Sequence, residues 1–314
     1  RTIVIATYGR GIWESKLADI AKIEHTITST DLLTVAAGTT QIYFYDIVIP
    51  AGKTLTVQGT LKMASNTRIH VMPGAKVLID GGLVTSFCSI PWKGFRVFGN
   101  KNLSQNITSN QGLIEIKNNG TIENALNAVS LSSLDLNGNV NWNGTGGIIA
   151  AKNAIFRNNK RDIEFLSYHN KNSVGKEISN KSFFENCQFI TTNTNQIPND
   201  KFEPHVTMWD MVGINFKGCV FEDQRSNINV KTQGRIGLYT IQSSYSVTNS
   251  CLSGSGLPCN QIPSKFKKLK SAIQSYNNGV NGVIVIENSE FTSYKGAILQ
   301  GTYNSKIQAN YFYT

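Results

Sequence analysis

The sequence predicts an all-β chain wound as a right-handed parallel β-helix, a solenoid of about nine or more coils. Three observations carry that prediction. A small residue, then any residue, then Leu, Ile or Phe recurs at nine places, centred on Gly59, Gly81, Gly120, Ala154, Cys187, Cys219, Ser250, Ser289 and Asn310. Successive centres lie 22, 39, 34, 33, 32, 31, 39 and 21 residues apart by subtraction of those numbers. The short steps suit a bare coil of three short strands and the long ones a coil carrying an inserted loop, whereas propeller blades would be longer and more even. Finally, the apolar parity shifts around each centre. Ile284 and Ile286, or Ile214 and Phe216, point inward before it, and Ser289 with Phe291, or Cys219 with Phe221, point inward after it. A straight strand keeps its two-residue phase, so a corner must intervene.

Taken along the frame, the large apolar position reads Leu61, Leu83, Ile122, Phe156, Phe189, Phe221, Leu252, Phe291 and Phe312. Stacked in register, these predict one continuous ladder inside the solenoid, and the strand-to-strand connections should be right-handed. The residue before the centre is Asn119, Asn153, Asn186, Asn249 or Asn288 in five frames. Asn accepts the left-handed backbone of a tight corner, and its amide can pair with the Asn above and below, so these positions read as structural. Cys187 and Cys219 fall at equivalent inward positions on adjacent coils and read as core thiols.

Composition agrees with this architecture. The 314 residues are 40% apolar and 16% charged, with 27 Gly and 7 Pro, which describes short strands joined by turns rather than a disordered chain. No segment of about 18 apolar residues could span a bilayer, and the chain starts without Met, as a piece of a longer polypeptide would. Of the five cysteines, Cys251 and Cys259 flank a flexible Ser/Gly segment and could close a disulfide loop in an oxidising compartment. No zinc spacing is present. The net charge of +10 is densest at Lys265, Lys267, Lys268 and Lys270, a group read as a solvated loop or as a contact for an anionic glycan or headgroup. The aromatic and arginine arrangement of nucleic-acid modules is missing.

Residues 46–63, with Ile47-Val-Ile-Pro-Ala-Gly-Lys-Thr-Leu-Thr-Val-Gln-Gly-Thr-Leu61, resemble the entry into β-helix regions of secreted Bacteroidetes proteins in the pectate-lyase-like superfamily. The Asn-Cys-Gln-Phe and Asn-Ser-Glu-Phe coils extend the resemblance over residues 45–314. It implies architecture rather than activity, because the superfamily holds lyases, hydrolases, adhesins and tailspikes. Ile3-Val-Ile-Ala-Thr-Tyr-Gly-Arg-Gly-Ile-Trp13 is similar to the last strands of sialidase-type Asp-box propellers. The expected layout is therefore terminal propeller strands at 1–15, a linker or cap at 16–43, and a β-helix from 44 that continues past 314. The resemblance further implies export to the cell surface, by a route such as type IX secretion.

Enzymes of that superfamily carry clustered acidic residues, often with calcium, or paired carboxylates. Asp210, Glu222 and Asp223 are the candidates for such a patch, and His169 and His205 could join a metal or proton-transfer group. No cofactor is implied by a motif, and no Gly-x-Ser-x-Gly, His-Glu-x-x-His, P-loop or dinucleotide fingerprint occurs. Trp92, Trp142 and Trp209, with Tyr168 and Tyr276, could offer flat faces to sugar rings. The insertions around 87–110 and 254–270 are the places to look for function, since loops on a rigid scaffold carry most of it. The expected role is a non-catalytic surface or adhesion module that contacts glycans through its loops and belongs to a longer chain. A polysaccharide lyase or glycoside hydrolase is the alternative.

Overall fold

The computed structural model describes residues 2–7, 11–16, 24–26, 33–135, 138–251, 259–278, 283–302 and 304–313. The chain is a right-handed parallel β-helix whose strands fall into three ten-stranded sheets, every pair within them parallel. One coil shows the rule: Thr54–Val57 lies in the first sheet, Thr60–Met63 in the second and Arg68–Val71 in the third. The next coil repeats it with Lys76–Asp80, Leu83–Ser86 and Gly94–Val97. Outside this winding, Thr2–Thr7 and Gly11–Lys16 pair as an antiparallel hairpin. Residues 8–10 of the propeller-like segment lie outside the described residues. Glu24–Thr26, Thr34–Val35 and Thr40–Tyr43 already pair into the three sheets, so the winding reaches ahead of residue 44.

Each strand turns alternate residues inward, as Thr54–Val57 does with Leu55 and Val57. On the second sheet, the inward position carries Phe156, Phe189, Phe221, Phe266, Phe291 and Phe312 on successive coils. Their neighbouring ring centroids stand 4.9, 4.5, 4.8, 5.1 and 4.8 Å apart, with planes within 13° of parallel. That spacing is the separation of hydrogen-bonded strands, so backbone pairing and ring stacking share one period. Phe184 and Phe216 make a second stack on the first sheet, 4.9 Å apart.

The structure corrects the predicted ladder at two coils. Leu83 pairs with outward Thr60 and the inward position falls to Val84, because the extra glycine of Gly81-Gly82 delays the strand by one residue. Leu252 lies outside the described residues, and its expected place is filled by Phe266, which pairs between Phe221 and Phe291. The insertion after Ser250 therefore enters at the corner itself. The lysine cluster is consequently not one solvated loop. Lys265 and Lys267 sit on the strand Ser264–Lys267, Lys268 takes the next corner with φ 52°, and Lys270 precedes the third-sheet strand Ser271–Tyr276.

At the first corner, Asn119, Asn153, Asn186 and Asn288 hold φ between 48° and 63°. Their amides bond backbone carbonyls one coil onward, for example Asn119 N to Asn153 O at 2.7 Å. The expected continuous stack of amide side chains is reduced to a single Asn-to-Asn bond at this corner among the described residues, Asn288 Nδ2 to Asn249 Oδ1 at 3.0 Å. Conformation, rather than amide pairing, selects Asn here. Cys187 and Cys219 are buried beside the corner, and burial with the neighbouring Cys187 thiol pushes the Cys219 thiol well up, which leaves it unreactive.

Position along the stack decides what each ring contributes. Phe221→Ala, in the middle, is expected to lower unfolding free energy by about 3–5 kcal/mol. Phe312→Ala, at an end where the ring is 60% exposed, is expected to cost less than about 1 kcal/mol. Urea unfolding of both variants beside the parent chain measures the difference.

Candidate functional site

Three consecutive coils carry long insertions at the same corner, after the third-sheet strands Gly94–Val97, Asn127–Ser130 and Arg161–Phe165. Residues 98–112, 131–147 and 166–182 therefore rise side by side from a rigid wall. Buried amides stitch them together. Gln105 donates to Gly146 O at 3.0 Å and accepts from Lys181 N at 2.8 Å, so this one side chain ties all three loops. Gln111 donates to the carbonyls of Asn100 and Leu103, and Asn170 accepts from Gln105 N while donating to Ser179 O. Satisfied amides of this kind fix a loop where an unpaired one would destabilise it. Tyr168 is buried between the loops with its hydroxyl donating to Leu103 O at 2.8 Å, and burial pushes its pKa up to about 12. Gly146, with φ 103°, lets that ring approach, since a Cβ there would stand 2.7 Å from Cε2 of Tyr168.

The loops 98–112 and 166–182 border an open cleft of about 840 Å³, lined by Lys101, Leu103, Ile107, Ser167, His169 and Lys171 among others. At its edge, His169 lies between two carboxylates. Nε2 is 3.0 Å from Asp210 Oδ1, and Nδ1 meets Glu177 Oε1. Asp210 also accepts from Ser167 Oγ at 2.6 Å. Burial works against a charged His169, yet the hydrogen bonds and charges of Glu177 and Asp210 outweigh it and hold the imidazole above its ordinary range. Asp210 is held low in turn: burial opposes this, but bonds from Ser167 and His169 and the charges of His169 and Lys101 prevail. The backbone of Asp210 occupies a corner with φ 51°, which presents its side chain to the loops of the preceding coils.

Trp142 and Trp209 meet beside this cluster. They come from an insertion and from a third-sheet strand, 46% and 50% exposed, with centroids 5.8 Å apart and planes at 72°. Thr145 Oγ1 donates to Ser167 O at 2.8 Å and Lys101 N to Asn143 O at 3.1 Å, which tie the Trp142 loop to the cleft wall.

Other sequence candidates lie elsewhere. Trp92 is 0% exposed, packed edge-on against Phe95 with Nε1 donating to Glu123 O, so its expected binding role gives way to a core role. Tyr276 packs near Tyr239 on the third sheet, 5.7 Å between centroids. The proposed carboxylate patch is not assembled. Asp223 is buried in a two-pronged pair with Arg225, Glu222 faces outward on the second sheet beside Gln224, and only Asp210 lies near the cleft, bonded to its lining residues Ser167 and His169. Lys265 is paired with Glu290 at 2.9 Å. Cys251 and Cys259 are joined by a disulfide, with Cα atoms 5.6 Å apart.

His169 and His205 do not come together as a metal group, and no set of three or more His, Cys, Asp or Glu suited to a metal occurs among the described residues. His205 is fully buried, Nδ1 2.6 Å from Asp162 Oδ2, within a polar cluster that includes Arg235. Burial and the Arg235 charge outweigh Asp162 and pull its pKa down to about 4. Arg235 is itself buried and lowered to about 10 by desolvation, while its guanidinium donates to the carbonyls of Glu203, Asn159 and Lys160. This cluster fastens the core side of the 192–205 insertion.

Sequence reasoning missed Lys101, Lys171, Ser167 and Glu177 as neighbours. The available signal was the run of long steps from Gly81 to Cys187, which marks extra chain in three successive coils. Searches against family models, curated proteins and solved structures found no match to this chain.

The two histidines are expected to titrate on opposite sides of 6.5. Imidazole NMR should place the midpoint of His169 above that value and that of His205 near 4. Because His205 binds its proton more weakly when folded, its contribution is present above pH 6.5 and is lost as pH falls toward 4, by about 3 kcal/mol. His205→Gln should remove that segment of the stability profile measured by urea unfolding.

Proposed function

We propose that the chain is a non-catalytic secreted or cell-surface module that displays a glycan-contacting site on a rigid β-helical shaft. The observation that carries this reading is the exposed Trp142–Trp209 pair, whose neighbours Asn143, Thr145 and Asp210 bond to residues lining an open cleft. Two large aromatic rings held half in solvent by an insertion and a strand provide apolar faces, and the flanking amides and hydroxyls provide directional partners. Sugar rings need both. The Cys251–Cys259 disulfide agrees with an oxidising compartment, as does the resemblance of the coils to exported Bacteroidetes β-helix proteins. Other domains of a longer chain would be its covalent partners.

Trp142→Ala and Trp209→Ala are each expected to weaken oligosaccharide binding about tenfold, equivalent to about 1.4 kcal/mol, with unfolding midpoints close to that of the parent. A glycan array to choose ligands, followed by calorimetric titration of both variants, checks this. Equal affinity in parent and variants would remove the tryptophan pair from the site.

The alternative reading is a polysaccharide lyase or glycoside hydrolase. What favours it is His169, poised as an acid between two carboxylates in a cleft. Against it, both imidazole nitrogens are already engaged, and the ring fills the space between Asp210 and Glu177 that a water or glycosidic oxygen would need. Product release from acidic and neutral polysaccharides that disappears in Asp210→Ala and His169→Ala would establish the enzyme instead.

A further inference from the structure

The cleft brings Lys101 and Lys171 together in a concave lining that contains no carboxylate. Along the shaft, several outward lysines are paired across coils: Lys76 with Glu115 at 2.6 Å, Lys152 with Glu185 at 2.7 Å, Lys265 with Glu290 at 2.9 Å. Within the cleft, Lys101 and Lys171 form no ion pair among the described residues, and no carboxylate is among the residues that line it. The two acids closest by, Asp210 and Glu177, are both engaged by His169, and Asp210 is engaged a second time by Ser167. Those bonds aim both acids at the imidazole; Asp210 also feels the charge of Lys101 and Glu177 faces Lys171 across an antiparallel bridge, yet neither acid forms an ion pair with a cleft lysine among the described residues. Around the lysines stand Asn102, Asn106, Asn110 and Asn172, donors and acceptors suited to hydroxyls.

Resting on the glycan reading above, we propose that this cleft selects sugars bearing an anionic substituent, a carboxylate or a sulfate, received between Lys101 and Lys171. Its volume of about 840 Å³ falls inside the range of about 300–1,000 Å³ common for small-molecule sites. A concave site whose cations stand outside ion pairs concentrates anions more effectively than the same charges spread over a convex surface. Trp142 and Trp209 would then hold the ring faces of the same chain of sugars next to the cleft.

The test is titration of the whole chain with three oligosaccharides of equal length: a uronate, the same compound reduced at its carboxyls, and a sulfated analogue. Polyglutamate of matched charge serves as a control polyanion. The expected result is at least tenfold tighter binding of the uronate or the sulfated compound than of the neutral one, and the preferred member of the two identifies the substituent. The double variant Lys101→Gln, Lys171→Gln should lose that margin. Lys53→Gln, Lys62→Gln, which removes the same net charge from the shaft, should retain it. The proposal is overturned if the cleft double variant keeps the margin, if both double variants lose it equally, or if polyglutamate binds as tightly as the uronate. If the neutral compound binds as well as the acidic ones and Trp142→Ala abolishes both, the anionic assignment falls while glycan binding stands. If no oligosaccharide binds, both fall.

Discussion

The structure depends on a backbone turn with positive φ between the first and second strands of its coils. Gly81, Asn119, Asn153, Asn186, Gly218, Asn288 and Ala309 all take it, with φ from 48° to 72°. The turn shifts the inward parity by one residue, so Ile214 and Phe216 before it and Cys219 and Phe221 after it all face the core. Without that shift, one of the two strands would direct its apolar residues into solvent. A residue with a Cβ resists this conformation, and Asn and Gly are the residues that accept it most readily, which is why they recur there. Once the corner is fixed, parallel pairing sets the distance between coils, and that distance is also a good one for stacked rings.

This coupling explains which parts of the molecule were legible in the sequence. Corners and inward positions repeat because every coil must satisfy the same geometry, and Phe156, Phe189, Phe221, Phe291 and Phe312 were readable one by one. Misreading occurred where the period was padded. At Gly81-Gly82 an additional flexible residue displaced the frame, and after Ser250 an insertion split the corner from its strand, so that Phe266 rather than Leu252 took the ladder position. A local pattern cannot reveal how much chain a corner has absorbed. Pairing registers can.

The site was legible only in fragments for a related reason. Trp142, Trp209 and Asp210 could be singled out by type, but their proximity follows from insertions of earlier coils that meet the end of the strand Val206–Trp209. Gln105, Gln111 and Asn170, the residues that bind those loops together, look like ordinary polar loop residues in the sequence. Their importance arises from burial, which turns each amide into a set of bonds that must all be made. Trp92 illustrates the converse: the same residue type, also after an insertion, is drawn into the core because Phe95 and the Glu123 carbonyl offer it a partner for each part of its ring.

Environment likewise separates the two histidines that sequence grouped together. His205 sits inside the solenoid, where desolvation and Arg235 suppress its charge even with Asp162 alongside. His169 sits on a loop, half covered, where two carboxylates overcome a smaller desolvation cost. Moving a histidine from the wall's inner face to its outer corner therefore reverses the sign of its shift. The same division governs the lysines and acids. On the shaft several of them pair from coil to coil, and such exposed pairs contribute little to stability. At the corner insertions the periodic partner is missing, because the loops that replace it have no counterpart on the neighbouring coils. Lys101 and Lys171, on such insertions, stand outside any ion pair among the described residues, and the proposed anion site draws on that.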